Sequence, residues 1–242
     1  MKTDLFPVVI LAGGLATRLR PATETIPKSL ITINGEPFID HQLRLLQQQG
    51  IREVVLCVGY LGEMVEKHVG DGSRFGLRVQ YAYDGPTLLG TGGAIKNASP
   101  LLDESFFVLY GDSFLTASYK DVQNTFNKES KQGLMTVFHN AGQWDTSNIE
   151  FNNGKLIRYD KVNRHPGMQY IDYGLGILTK QALSLIKDDE SYDLATLYQT
   201  LLKNDQLAAH EVSSRFYEVG SFAGIEELEY YLSHQMKENT LC

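Results

Sequence analysis

The densest chemistry in the sequence lies in Leu11-Ala12-Gly13-Gly14-Leu15-Ala16-Thr17-Arg18-Leu19-Arg20-Pro21. Gly13 and Gly14 let backbone N–H groups approach an anion with no side chain in the way. Thr17 adds a hydroxyl donor, and Arg18 a planar guanidinium suited to phosphate oxygens. Further along, Pro27-Lys28 sets a compact positive charge directly after a rigid residue. Together these residues predict a triphosphate cradle with two cations, Arg18 and Lys28. Two rival phosphate motifs are excluded. The G-x-x-x-x-G-K-[ST] loop is missing, because Gly-Lys occurs only at Gly154-Lys155, in a predicted hairpin turn. Gly13-Gly14, with no third glycine, does not make G-x-G-x-x-G.

A second chemical feature is Asp112, which closes the apolar run Phe106-Phe107-Val108-Leu109-Tyr110-Gly111. A carboxylate at the end of a buried strand is costly unless it is paired or holds a metal. A helix cap or turn residue is the ordinary alternative. His41, His68, His139, His165, His210 and His234 are scattered, and neither HExxH nor G-x-S-x-G is present. Activated-nucleophile and zinc chemistry are therefore not indicated. Cys57 sits in Val54-Val55-Leu56-Cys57-Val58 and Cys242 is the last residue, a pattern of two free thiols in a reducing compartment rather than a disulfide framework.

The elements that must position these groups follow from hydrophobic period. Strands are predicted at Pro7–Ala12, Glu53–Val58, Leu77–Tyr83, Phe106–Tyr110 and Gly133–His139. Helices are predicted between them at Phe38–Gln49, Leu61–Val69, Thr91–Ala98 and Tyr119–Glu129. This β-α alternation implies an α/β fold with a mostly parallel sheet flanked by helices. The second half adds a hairpin, Asn148–Phe151 and Lys155–Tyr159, turning at Asn153-Gly154. It continues with a strand at Tyr173–Leu178, helices at Gln181–Ile186 and Leu194–Leu202, a strand near Ala208–Val212 and a helix at Phe222–Met236. That makes a small antiparallel appendage. No linker or repeat divides the chain, so 1–242 is expected to be one domain. In such sheets ligands bind beyond the carboxyl ends of the strands.

Composition narrows the partners. The 242 residues are 43% hydrophobic and 21% charged, with a net charge of −7. Neither a disordered chain nor a membrane-embedded one has that balance. A net acidic chain is a poor binder of nucleic acid or anionic lipid. The N-terminus has Asp4 and Pro7 too early for a secretory leader, and no apolar run is long enough to cross a bilayer. A cytoplasmic protein is expected.

Leu11-Ala12-Gly13-Gly14-x-x-Thr17-Arg18-Leu19-Arg20-Pro21, followed by Pro27-Lys28-x-Leu30 and Gly35-x-Pro37, resembles the signature of the sugar-1-phosphate nucleotidyltransferases. Leu89-Gly90-Thr91-Gly92-Gly93-Ala94, Gly111-Asp112, Tyr159-Asp160-Lys161, Tyr173-Gly174-Leu175-Gly176 and Glu218-Val219-Gly220-Ser221 are similar to its later motifs, in the same order. The heptose- and mannose-1-phosphate guanylyltransferase branch is the most similar, with uridylyl, thymidylyl and cytidylyl transfer left open. The resemblance implies a Rossmann-like fold and a reaction in which an NTP and a sugar 1-phosphate give an NDP-sugar and pyrophosphate. In NDP-sugar biosynthesis of this kind the partners are small molecules, and the enzyme is a monomer or homodimer. The sequence carries no hexapeptide repeats, so no β-helix extension is expected.

The resemblance also implies residue roles. Arg18 and Lys28 act on the phosphates as the catalytic cations. Leu11, Ala12, Gly13, Gly14, Thr17, Asp84, Gly90 and Thr91 bind the nucleotide. Gly92, Lys161, Asp172 and Gly174 bind the sugar phosphate. Asp112 and Glu218 hold Mg²⁺. The sequence departs from the pattern at four points: Ala16 where Gly is frequent, Asp160 for Glu, Val162 for Pro, and Glu218 for Asp. Sugar specificity is expected in loops at Thr116–Tyr119, Trp144–Asn148 and His165–Tyr170. Two competing readings remain at this point: a nucleotidyltransferase for a non-sugar phosphate, and a non-catalytic NDP-sugar-binding homologue.

Overall fold

The computed structural model describes residues 4–14, 19, 22–187 and 191–240. The first strand, β1 (Val8–Leu11), is followed by a short hairpin of β2 (Thr32–Ile33) and β3 (Glu36–Pro37), then α1 (Phe38–Gln48). Next come β4 (Glu53–Val58), α2 (Gly62–Val69), β5 (Arg78–Tyr83), α3 (Gly90–Asn97) and β6 (Ser105–Tyr110). A short β7 (Ser113–Leu115) leads to α4 (Tyr119–Lys128), β8 (Gly133–His139), β9 (Ile149–Asn152), β10 (Lys155–Tyr159) and β11 (Tyr170–Thr179). The chain continues through α5 (Lys180–Leu183), α6 (Leu194–Lys203), β12 (Leu207–Val212), β13 (Phe216–Glu218) and α7 (Phe222–Thr240).

β5, β4, β1 and β6 lie side by side and parallel, and β11 runs antiparallel against β6. β8 pairs with β11 and, in parallel, with β12, while β9 and β10 form the antiparallel edge. The sheet is therefore mixed and mostly parallel at its centre, as the α/β alternation predicts. Its central strands read as unbroken apolar runs because both faces are covered. Val8, Ile10, Val54, Leu56, Phe107 and Leu109 point to one core, against Leu43 of α1, Val65 of α2 and Val122 of α4. Val9, Val55, Cys57, Phe106 and Val108 point to the other, against Ile95 of α3, Ala182 of α5 and Leu197 of α6. Leu228 of α7 packs with Ile33, Phe38, Phe114 and Val219 in a third cluster, with Ile225 and Leu232 partly buried beside it.

Predicted and observed elements agree closely. Asn153 and Gly154 both have positive φ, as a two-residue turn with this sequence requires. Four short strands escape the period-based prediction: the β2–β3 hairpin and the antiparallel pair β7–β13. Asn34-Gly35, also at positive φ, carried a turn signal for the first.

Strand order switches at β1, whose neighbours are β4 on one side and β6 on the other. The switch brings the carboxyl ends of β1 and β6 into contact. The Gly111 N–H donates to the Leu11 carbonyl at 3.1 Å. A Cβ at Gly111 would lie 2.3 Å from that oxygen and 2.9 Å from the Ala12 Cα, so only glycine fits. Gly111→Ala must therefore push apart the two strand ends. It is expected to cost about 3 kcal/mol of stability, measured by chemical denaturation; an unchanged midpoint would contradict this packing.

Candidate functional site

A cleft of about 250 Å³ opens at those strand ends. It is lined by Leu11, Ala12, Gly13 and Gly14 of the β1 loop and by Lys28 and Asp112. Asp84, Gly90 and Thr91 also line it, and Asp84 lies close against Gly13. Each group is there because an element ends there. The Ala12 N–H donates to the Cys57 carbonyl at 2.8 Å, holding the β1 loop over β4. The Asp84 N–H donates to the Val58 carbonyl at 3.0 Å, fixing the first residue after β5. The Lys28–Leu30 3₁₀ turn follows Pro27, whose extended backbone sets its start.

Lys28 Nζ donates to Asp112 Oδ2 at 2.9 Å, in a pair whose side chains are only 18% and 30% exposed. Gln42 of α1 braces the turn that carries Asp112: its Nε2 donates to the Ser113 carbonyl at 2.8 Å and lies 3.4 Å from the Tyr110 carbonyl. Burial raises the Asp84 carboxyl, partly offset by the Leu89 N–H. The Cys57 thiol also reaches this cleft, but burial pushes its pKa far up, which suits packing rather than nucleophilic chemistry.

A second cleft, of about 260 Å³, adjoins the first through Tyr110, which lines both. It is walled by Asp145, Thr146, Asn148, Lys161, Arg164 and Asp172. Asp172 Oδ1 accepts the Gly174 N–H at 3.1 Å, and Oδ2 lies 3.3 Å from the Tyr159 hydroxyl and 3.4 Å from that of Tyr110. Burial pushes the Asp172 carboxyl up, while the Lys161 charge, the Gly174 N–H and the two phenols pull it down. The Lys161 ammonium stands 5.5 Å above the Tyr110 ring.

Not every expected residue meets a cleft. Thr17, Arg18 and Ala16 lie outside the described residues, as does Cys242. Gly92 faces protein: its N–H donates to the Tyr192 carbonyl at 2.8 Å, as Gly93 does at 3.2 Å, and a Cβ there would strike the Tyr192 ring. Gly174 lies in a bulge of β11 at φ +95°, where it lets Asp172 turn back onto its N–H. Glu218 lies opposite Ser113 in the β13–β7 pair, and the Val219 N–H donates to the Asp112 carbonyl at 2.9 Å. Its carboxylate nevertheless turns toward α7, accepting from the Gly220 N–H and the Ser221 hydroxyl. It lines a separate small pocket with Trp144 and Arg215. The expectation that Glu218 joins Asp112 is not met by this arrangement.

Some lining residues escaped the motif search. Ser29, buried beside Lys28, and Tyr110, at the end of its strand, gave no signal of their own. Asp145, Thr146 and Asn148 fall in the expected Trp144–Asn148 loop, whereas neither Thr116–Tyr119 nor His165–Tyr170 lines the clefts. Arg164 was missed because it follows the Lys161 motif without belonging to it.

Residues 7–221 match the family model described as Nucleotidyl transferase. The chain belongs to this family. Over 213 residues this nucleotidyltransferase is 29% identical to D-glycero-alpha-D-manno-heptose 1-phosphate guanylyltransferase of Campylobacter jejuni, covering 88% of this chain and 93% of that enzyme. It is 26% identical over 224 residues to N-acetylmuramate alpha-1-phosphate uridylyltransferase of Neisseria meningitidis, covering 91% and 96%. With mannose-1-phosphate guanyltransferase beta-B of Xenopus laevis it shares 27% over 218 residues, covering 88% of this chain but 60% of that protein. The relatives are sugar-1-phosphate nucleotidyltransferases, in agreement with the sequence motifs. Among solved structures, the inositol-1-phosphate CTP transferase from T. maritima shares its fold with a TM-score of 0.78 at 20% identity, covering 96% and 97%. HddC from Yersinia pseudotuberculosis, solved with GMP-PN, gives 0.77 at 22%, covering 94% and 100%.

The nucleotidyltransferase carries Asp172 at a cost to its fold. A carboxyl whose folded pKa is raised opposes folding above that pKa and ceases to do so as pH falls through it. Asp172→Asn is therefore expected to raise Tm near neutral pH, with the gain narrowing as the solution is acidified. A Tm that falls, or a gain independent of pH, would contradict the burial assigned to this group.

Proposed function

We propose that the enzyme transfers a nucleoside monophosphate from an NTP to a sugar 1-phosphate, expelling pyrophosphate by in-line attack on the α-phosphate. The observation that supports this most is the pair of adjoining clefts that share Tyr110, each with its own lysine. The β1 cleft receives the NTP and the Lys161 cleft the acceptor. Guanylyl transfer to a heptose or hexose 1-phosphate is the reading favoured by two of the relatives.

Both reactants are anions, so the site must offset their repulsion and the charge on the transferring oxygens. No protein nucleophile is needed, because a sugar phosphate oxygen is already anionic. The amides at Gly13 and Gly14 face the phosphates, with Arg18 assigned to the leaving pyrophosphate on its sequence position alone. Lys28 holds the α-phosphate and the attacking oxygen in line. Asp84, Gly90 and Thr91 meet the base and ribose.

The donor set suits a divalent cation at Asp112. Mg²⁺ takes one or two carboxylates and completes its shell with phosphates and water. No cluster of three or more ligating side chains occurs among the described residues, so Asp112 would hold the ion with the nucleotide. When bound, Mg²⁺ supplies charge neutralisation across the phosphate oxygens. To hold the ion, Asp112 would give up its bond to Lys28, leaving that ammonium to the α-phosphate. Glu218 would have to leave the Gly220 and Ser221 donors to join it.

We also take residues 1–242 to act as one cytoplasmic domain, monomeric or homodimeric. The net charge of −7 supports small-molecule substrates over nucleic acid or membrane partners. No helix among the described residues is long and apolar enough to cross a membrane.

Pyrophosphate release, assayed with each NTP against a panel of sugar 1-phosphates in Mg²⁺, is expected to be fastest with GTP and a manno-configured acceptor. Silence in every combination would overturn the reading. Lys28→Ala is expected to lower kcat by roughly 10²–10³-fold with Tm little changed, and near-normal turnover would refute its charge role. Mn²⁺ binding followed by electron spin resonance is expected to disappear in Asp112→Asn and persist in Glu218→Gln. The reverse pattern would assign the ion to Glu218.

A further inference from the structure

Two departures from the family pattern, Asp160 for Glu and Val162 for Pro, form one device at the edge of the second cleft. Asp160 Oδ1 accepts the N–H groups of Val162 at 2.9 Å and Asn163 at 2.8 Å, and Oδ2 accepts the Asn163 side-chain amide at 3.2 Å. A proline at 162 has no N–H to give, so this side-chain-to-backbone turn needs another residue there. These donors hold the Asp160 carboxyl down to about 2, so it is a full acceptor at any working pH. The Asp160 N–H also donates to the Asn148 carbonyl at 3.0 Å, tying the turn to the cleft wall.

The turn presents two cations to the cleft. Lys161 and Arg164 both line it, and Arg164 Nε donates to the Lys161 carbonyl at 2.9 Å. That bond anchors the arginine through Nε and leaves its two Nη groups without a partner among the described residues. Neither cation forms an ion pair among those residues, although Asp145 and Asp172 share the cleft. A phosphate monoester carries nearly two negative charges at neutral pH and would meet these two carboxylates. One lysine does not offset that, whereas a guanidinium fork beside it can grip two phosphate oxygens at once.

We propose that Arg164 is a second cation for the acceptor's phosphate beside Lys161, and that Asp160, through the Val162 N–H, is the positioning residue that presents both. The proposal rests on the second cleft being the acceptor site.

The test measures pyrophosphate release with GTP and Mg²⁺ against α-D-mannose, α-D-glucose and manno-heptose 1-phosphates, with acceptor and GTP KM determined separately. Arg164→Ala is expected to raise the acceptor KM roughly 10- to 100-fold, the size of a lost charge-assisted contact, and to leave the GTP KM unchanged. Arg164→Lys should recover part of the loss. Asp160→Ala and Val162→Pro should raise the acceptor KM in the same direction. Asp160→Asn, whose side-chain oxygen still accepts both N–H groups, should not. Arg164 is exposed, and unchanged Tm in its variants shows that folding is not the cause. The same assay is run with ATP, CTP, UTP and dTTP where GTP gives no release, and no release by the wild type with any NTP and any acceptor overturns the parent reading and this one together. Release by the wild type with an unchanged acceptor KM in Arg164→Ala overturns this proposal alone. Normal KM in Val162→Pro overturns the role of Asp160.

Discussion

The contact between the ends of β1 and β6 is the constraint on which the site depends. Two parallel strands can end this close only if one of them offers bare backbone, and Gly111 does so against the Leu11 carbonyl. The first loop then lies beside Asp112, which places amide donors and a carboxylate at the same cleft. Lys28 spans the gap from a separate turn, and its ion pair with Asp112 keeps both charges compensated until a stronger partner arrives. Gln42 braces the turn from behind. The β1 loop, Lys28 and Asp112 are thus brought to one cleft by a single close approach.

The two clefts differ in how they arrange charge. The first cleft carries backbone amides and Lys28, with Asp84 and Asp112 also in its lining. The second cleft mixes signs more closely, with two carboxylates against two cations. Tyr110 lines both, and its hydroxyl donates to Asp172 of the second cleft. A net acidic surface is no obstacle to such a site, because the ligands are small and the positive charges are local.

Much of this was legible in the sequence where a residue's type alone dictates its setting. The apolar runs of β1, β4 and β6 predict strands covered on both faces, and Asn153-Gly154 predicts its own turn. The loop Leu11–Gly14, Lys28, Asp84 and Asp112 follow strand ends or a proline, so topology delivers them to one place. The pair β7–β13 was not legible, because three-residue strands have no period to detect and exist only through each other. Glu218 shows a different limit. Its backbone is beside Asp112, as the motif order implies, but an extra methylene and the donors at Gly220 and Ser221 let the carboxylate fold back onto its own helix start. Arg164 and Asp160 depend on a turn whose shape is written in side-chain-to-backbone bonds, a scale that residue spacing does not reach.

The first turn of α3 shows how a glycine-rich segment can be read too simply. Glycines opening a helix invite the expectation of an anion site, since free amides and the helix dipole favour negative charge there. Here the Tyr192 carbonyl already takes the Gly92 and Gly93 amides, and Leu194 donates to the Thr91 hydroxyl. The helix has spent its positive end on the protein's own backbone. What remains toward the cleft at Gly90 and Thr91 is a helix start whose Gly92 and Gly93 amides are already taken by the protein, so it offers less to an anion than its glycines suggest.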